Sequence, residues 1–509
     1  MTRRGCRSRA ARSLAARASG PQPFSRKGDC EVDRLSCLNR LYALLILMSG
    51  VGAPLAFGQE KPASPSQPLY PLPRYDEDWR FLKDHSLHND VFDAIKFIPL
   101  SDDGKVFISL GGEIRETYER FHNTNFGLSP DDPDGYLLQR YLFHADIHAG
   151  QRFRFFAELS SSLEDGRTGG PRPVIDENKL DMHQGFFDLL LLKLRERSSL
   201  TLRVGRQEMA FGSGRLIALR EGPNVPLSFD GVRITIHSGD WQLDSFATRP
   251  AQNKPEIFDD PPQHDFAFWG AYVTHRPAPG KAKPSVDLYY LGLDRKHAVY
   301  NQGAARERRQ TLGARVWGQH RSWGYDAEAM YQFGKFGSGH IDAWRLAADN
   351  TYIFSSLRWR PKLGLATDAA SGDRDPHTPN LQTFDALFQS GTYSGRAQIL
   401  GPNNTIRLEP SLGLSFSEHV TFSAGWGFFW RESTSDGLYG IPGNLLVPSN
   451  GVKSRYEGSR PIAQIDWQIT RHLSAHVNYI YVFNAAFEEQ SVHGTTNMSF
   501  ISPWLTYRF

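Results

Sequence analysis

Ile406, Leu408, Leu412, Leu414 and Phe416 fall on one parity of a single stretch, and Arg407, Glu409, Ser411, Gly413 and Ser415 fall on the other. After the polar turn Ser417-Glu418-His419, Val420, Phe422, Ala424, Trp426, Phe428 and Trp430 resume the apolar parity, between Thr421, Ser423, Gly425 and Gly427. Successive strand side chains point to opposite faces, so this pair reads as a β-hairpin with one apolar and one polar face. A helix repeats every 3.6 residues and would scatter the same residues around its whole circumference.

The alternation recurs along the chain. Ile108, Leu110, Ile114 and Tyr118 oppose Glu113, Arg115, Thr117 and Glu119, and Tyr141, Phe143, Ala145 and Ile147 oppose Arg140, His144, Asp146 and His148. Phe153, Phe155, Ala157 and Leu159 oppose Arg152, Arg154 and Glu158 across a turn at Gly150-Gln151. Tyr325 to Phe333, and Ala463 to Tyr481 around a turn at Thr470-Arg471-His472, follow the same rule. Outside one N-terminal run, no stretch approaches the roughly 20 apolar residues that a membrane-spanning helix needs. With 33 Phe, 19 Tyr and 11 Trp, the chain is also far too aromatic to stay disordered.

Two all-β readings fit this pattern. In a soluble sandwich the apolar faces are buried between sheets and the polar faces are wet. In a transmembrane antiparallel β-barrel the apolar face meets lipid and the polar face lines the lumen. Aromatics at strand ends (Trp426, Trp430, Trp467, Tyr479, Tyr481), a heavily charged polar parity and long polar connections at Asn123–Gly135, Glu164–Lys179 and Ser371–Asn380 favour the barrel. The chain ends on Phe509, with Tyr507, Leu505 and Ile501 on the same parity and only Pro503 imperfect. A terminal aromatic on a half-apolar strand is the feature that barrel-assembly machinery reads in bacterial outer membranes. At roughly 25 residues per strand and connection, the 451 residues after Gly58 give about 18 strands, and a barrel of that size leaves room for an aqueous passage.

The first 58 residues differ in kind. They hold ten Lys/Arg against three Asp/Glu and all three cysteines, Cys6, Cys30 and Cys37. Arg40, the apolar run Leu41–Met48 and the small residues Ala56 and Gly58 make a secretory signal peptide cleaved after Gly58, with an Arg-rich extension before it. The length of that extension points to a translation start downstream of Met1. Residues 59–100, Pro/Ser-rich at first, read as a periplasmic lead, and residues 101–509 as the barrel. The cysteine-free, weakly acidic remainder excludes a disulfide framework and argues against nucleic acid as a partner.

Several segments resemble the alginate export family of Gram-negative outer-membrane proteins. They are Leu110-Gly111-Gly112-Glu113-Ile114-Arg115, Leu138-Gln139-Arg140-Tyr141, Arg203-Val204-Gly205-Arg206-Gln207-Glu208, Gly212-Ser213-Gly214-Arg215-Leu216, Arg220-Glu221-Gly222-Pro223-Asn224, Phe229-Asp230-Gly231-Val232-Arg233, Ser371-Gly372-Asp373-Arg374-Asp375 and Asp436-Gly437-Leu438-Tyr439. The resemblance runs from about Tyr75 to Phe509 and implies an 18-stranded monomer in the outer membrane whose arginine-lined lumen passes an anionic polysaccharide, fed by periplasmic export partners.

Parity places Arg115, Arg140, Arg152, Arg154, Arg233, Arg315, Arg407 and Arg431 inward, with Glu113, Asp146, Glu158, Asp326 and Glu409. Arginine stays charged and presents a planar fork that matches carboxylates, so these are candidate contacts for a polyanion or sugar acid. Mixed signs keep binding weak enough for release. The plainer reading is that inward arginines pair with inward carboxylates and brace the wall. Arg206 joins the candidates because parity clashes around Gly205, which predicts a bulge that redirects it. The acidic runs Asp131-Asp132-Pro133-Asp134 and Asp373-Arg374-Asp375 suit either a hard cation or, more simply, solvated loops. No nucleophile elbow, HExxH, P-loop or CxxC motif occurs, so the sequence points to a channel without cofactor, metal or catalytic residues. An uptake porin for small anionic solutes is the alternative, and a barrel enzyme a distant third.

Overall fold

The computed structural model describes residues 70–509, apart from 196, 279–282, 392–394 and 442. The expected signal peptide and the start of the expected lead lie outside the described residues. Eighteen strands follow one another in a meander. They are β1 (Val106–His122), β2 (Tyr136–Ala149), β3 (Phe153–Asp165), β4 (Asn178–Arg195), β5 (Ser198–Gln207) and β6 (Phe229–Ser238). Next come β7 (Trp241–Pro250), β8 (Phe266–His275), β9 (Ser285–Tyr300), β10 (Gly303–His320), β11 (Trp323–Phe336) and β12 (Gly339–Ile353). The last are β13 (Lys362–Ala370), β14 (Thr405–Ser415), β15 (Val420–Arg431), β16 (Tyr456–Gln468), β17 (Leu473–Val482) and β18 (Met498–Arg508). Each pairs antiparallel with its sequence neighbours, and β1 pairs with β18 through Glu113↔Arg508 and Phe121↔Phe500, which closes the barrel and removes both sheet edges. Phe509 completes the seam: its N–H donates to the Gly112 carbonyl (3.1 Å) and its carbonyl accepts from Gly112 N–H (2.8 Å).

Burial is inverted relative to a soluble sandwich. Phe143 is 48% exposed and Trp426 46%, whereas Arg140 is fully buried and Arg407 only 5% exposed. Such a surface is unfavourable in water at about 25 cal/mol per Å² of apolar area and comfortable against hydrocarbon. The predicted hairpin forms, with Ile406↔Trp430, Leu412↔Ala424 and Leu414↔Phe422 in register.

Short turns gather at one end, the periplasmic end by the general rule for outer-membrane barrels, and most long connections gather at the other. Two connections at the outer end are tight all the same, residues 301–302 and 337–338, joining β9 to β10 and β11 to β12. Residues 70–100 lie at the short-turn end, where Asp90 accepts a hydrogen bond from His472 (2.8 Å) and pairs with Arg471 (3.2 Å) in the β16–β17 turn. Trp79, Leu82 and Phe97 pack on Phe107, and Lys96, fully buried, meets Glu77 at 2.8 Å.

Two connections turn inward instead of standing outside: loop A (residues 208–228) and loop B (residues 371–404). They are tied by a short parallel pairing in which Phe388 N–H donates to Leu216 O (2.8 Å) and Ala218 N–H to Phe388 O (3.0 Å). Met209, Ile217, Leu381, Phe384 and Leu387 from the loops pack against the inward side chains Phe229, Phe268, Leu291 and Met330. One sector of the lumen is therefore filled with a dry core. Across from it, near the periplasmic end of β15, the inward Thr421 and Ser423 remain exposed.

Candidate functional site: the charged lumen

Carboxylates on the wall and in the loops divide the inward arginines into two groups. The first group is paired. Arg140 Nη2 lies 2.5 Å from Glu113 on β1 and 2.7 Å from Glu221 in loop A, and Arg508 takes the other Glu113 oxygen at 2.9 Å. Arg154 pairs with Asp146 (2.7 Å) and Arg233 with Asp244 (2.8 Å). Arg315 pairs with Asp287 (2.8 Å) and Asp326 (2.5 Å). Glu409 lies 3.0 Å from Arg460 and 4.0 Å from Arg407. Most of these contacts cross neighbouring strands or join wall to loop, as in the plainer reading of the parity, while Glu409 meets Arg407 within its own strand and Arg460 across the intervening β15.

Three expectations need correction. Arg152 does not face the lumen. It lies exposed in the β2–β3 turn, where strand alternation no longer fixes a direction. No bulge forms at Gly205: the ladder runs regularly through Phe186↔Gly205 and Gly205↔Gly231. Gly205 takes φ +133°, and a Cβ there would meet the Gly185 carbonyl at 2.2 Å, so the glycine serves close strand approach rather than redirection. Arg206 accordingly keeps the outward parity of the exposed Val204 and pairs with Asp230 at 2.8 Å. Arg431 is inward and fully buried, but it donates to the carbonyls of Val452 (2.8 Å) and Asp436 (2.9 Å) and stacks on Phe487, so it staples an outer loop.

The second group carries no carboxylate partner among the described residues. Arg115 donates to the carbonyls of Glu221 (2.6 Å) and Pro223 (2.9 Å) in loop A. Arg396 of loop B donates to Ser502 Oγ (3.1 Å) and lies 4.0 Å over the Trp504 ring. Arg220 of loop A is half-buried, and burial pushes it down to about 10, which leaves it charged at neutral pH. Of the three, only Arg115 is reached by strand parity, because the other two belong to loops.

Loop A is held at both ends of its charge pattern. Arg215 is fully buried and meets Asp326 (2.8 Å), Glu328 (2.8 Å) and Asp349 (2.6 Å) on β11 and β12. At the other end, Glu221 sits against Arg140 and, at 3.9 Å, against Arg74 of the lead. Burial opposes its ionisation, but Arg140 and then Arg74 outweigh that and hold the Glu221 carboxyl below the usual carboxylate range. Arg74 also meets Glu158 (2.5 Å) and Glu208 (3.1 Å). With His183, those two carboxylates converge like metal ligands, yet the guanidinium already supplies the cation. The acidic runs behave as loop caps: Asp131 accepts from Thr124 N–H (3.0 Å), Asp132 from Thr168 N–H (2.6 Å) and Asp373 from Asp375 N–H (3.2 Å).

A closed, lipid-facing-out barrel with a polar, charged interior is an outer-membrane channel-type protein. Residues 106–500 match the alginate export family, and the chain belongs to that family. No curated protein matches it. Solved structures similar to it are outer-membrane porins. The outer membrane protein OpdK from Pseudomonas aeruginosa has a TM-score of 0.54 at 11% identity, covering 79% of this chain and 98% of that one. A BenF-like porin from Pseudomonas fluorescens Pf-5 gives 0.54 at 12%, with the same coverage. Pseudomonas aeruginosa OccK2 (OpdF), solved in complex with glucuronate, gives 0.52 at 12%, again with 79% and 98% covered.

Proposed function

We propose that the protein passes an anionic polysaccharide of the alginate type through its lumen, and that loop A opens by exchanging carboxylates. The observation that carries this is the trio Arg115, Arg220 and Arg396, which form no ion pair with a carboxylate among the described residues, beside Glu221, which a substrate carboxylate can replace. Glu221 is the accessible end of the latch, with its side chain 23% exposed. A uronate that takes its place on Arg140 loosens that end of loop A, which then rests on the Arg115 bonds to the Glu221 and Pro223 carbonyls, while Arg215 still anchors the other. Arginine forks favour this exchange, because they bind any well-placed carboxylate in the same bidentate manner. In planar bilayers the protein is expected to conduct anions in preference to cations, and added oligouronate to change that conductance more than a neutral oligosaccharide of matched length. The triple variant R115Q/R220Q/R396Q is expected to lose the preference; retained anion selectivity would sink the assignment.

The alternative, a porin for small sugar acids, draws support from the filled sector of the lumen, which leaves less room for a polymer, and from the glucuronate bound by OccK2. Blocking by monomeric glucuronate as strong as that by the polymer would favour it.

A further inference from the structure

The lipid side of the wall is not uniformly apolar. Between β9 and β12 one register row reads Asp294↔Arg308↔Lys335↔His340, each residue directly opposite the next. Arg306 stands two residues further toward the outer end of β10. Arg306, Arg308, Lys335 and His340 are all exposed on the outward parity. Asp294 serves two of these cations, Arg306 at 2.6 Å and Arg308 at 3.4 Å. Among the described residues Lys335 has no carboxylate partner.

Beneath it, β8 to β11, three of which also carry the row, form a groove of about 600 Å³ on the outer surface. Its floor is Ala314 and Ala329, directly opposed in register, and its sides are Leu288, Tyr290, Leu312 and Tyr331. Two alanines among large neighbours leave a furrow where most of the belt is level. Rows two residues apart are about 6.8 Å apart along a strand, so Arg308 stands about 15 Å above Ala314 along the membrane normal at the usual tilt. Cations therefore sit at headgroup height, and the furrow runs down from them into the hydrocarbon.

We infer that this face binds a phosphorylated, multiply acylated glycolipid of the outer leaflet, with phosphates on Arg306, Arg308 and Lys335 and an acyl chain in the Ala314–Ala329 furrow. Charge complementarity and the position of the groove under the cations argue together for one occupant. A zwitterionic phospholipid brings its own ammonium, which the row repels, and free inorganic phosphate has nothing to place in the groove. An exposed arginine pair at the surface is worth little by itself, but several cations on one polyvalent headgroup act together. The tight 301–302 and 337–338 connections leave the row uncovered from above, unlike the long connections elsewhere at that end.

The test is native mass spectrometry of the detergent-solubilised mature protein titrated with bisphosphorylated lipid A. Binding is expected to weaken at least tenfold in R308Q/K335Q, and also in A314F/A329F, which fills the furrow and leaves the cations in place. R120Q, on β1 and away from the row, is expected to bind as the parent does. Excess inorganic phosphate should not displace the lipid, and phosphatidylglycerol should do so only at large excess. Unchanged affinity in both double variants, each shown folded by heat-modifiable gel mobility, overturns the inference. If the variants fail to fold, the competition experiments on the unaltered protein decide: displacement by equimolar phosphatidylglycerol overturns it.

Discussion

Replacing Arg215 with methionine keeps most of the side-chain volume and removes the anchor of loop A. Arg215 is fully buried and touches three carboxylates, Asp326, Glu328 and Asp349. Removing one partner of a buried ion pair ordinarily costs about 3–5 kcal/mol, because the other partner is left desolvated. Here the loss is softened. Asp326 keeps Arg315 (2.5 Å), Glu328 keeps the Tyr289 hydroxyl (2.6 Å), and the Asp349 side chain is 16% exposed. A cost of about 2–3 kcal/mol falls on the state with loop A docked, which shifts the docked-to-released equilibrium about 30- to 160-fold. Single-channel recording in planar bilayers reads this directly: R215M is expected to show more frequent and longer-lived high-conductance openings. The strand ladder does not involve Arg215, so the barrel should still migrate as a folded species until heated. A folded R215M with the parent's conductance and dwell times would refute the idea that loop A is held shut by this contact.

Further outcomes follow from the same contacts. Residues 59–509 contain no cysteine, so I217C/F388C introduces a defined pair at the bridge between loops A and B. Oxidation should lower conductance and reductant should restore it. E221Q should weaken the Arg140 latch, raising basal conductance and reducing the response to oligouronate. Burial lifts the Glu488 carboxyl to about 8, in the helix Ala486–Ser491 of the outer connection 483–497, where Arg431 and Glu489 are its charged neighbours. A folded value above the unfolded one means that the ordered loop is most stable at low pH and loses stability as pH rises from about 4.5 to 8. Hydrogen exchange across 483–497 should therefore quicken between pH 5 and 9, and the dependence should weaken in E488Q, where the neighbouring buried Glu457 carboxyl remains.

Wherever both strands of a hairpin alternate cleanly, the fold is legible from sequence. Leu412 and Ala424, or Arg140 and Glu113, point the way their parity requires, because one misplaced residue would turn a whole strand's apolar set into the lumen. Parity fails where its cause ends. Arg152 lies one residue beyond a strand, and Arg431 is the last residue of one, so their partners are set by turns and loops. Arg206 was drawn inward by an expected bulge that the regular Gly205 ladder does not contain. The interior loops were hidden for a different reason. Arg215 meets Asp349 across 134 residues, and Arg74 meets Glu208 across the same separation, distances over which no local pattern carries information. The one local hint was the Gly212-Ser213-Gly214-Arg215 segment. Gly212 and Gly214 take φ +62° and +77°, a turn that carries the arginine off the strand path.

The polarity of the two ends of loop A decides what kind of solute can move it. A carboxylate polymer competes with Glu221 for Arg140, since both are anions and the site's cation is fixed in the wall. It has no means of competing with Arg215, because the partners there are Asp326, Glu328 and Asp349, which repel it. A neutral sugar can displace neither without leaving buried charges unpaired, at a cost of several kcal/mol for each. Selectivity for anions therefore need not reside in a narrow ring of arginines. Under the proposed function it would follow from a loop whose exposed latch is a carboxylate and whose buried hinge is a guanidinium, with Arg115, Arg220 and Arg396 supplying the charge along which a released polyanion would advance.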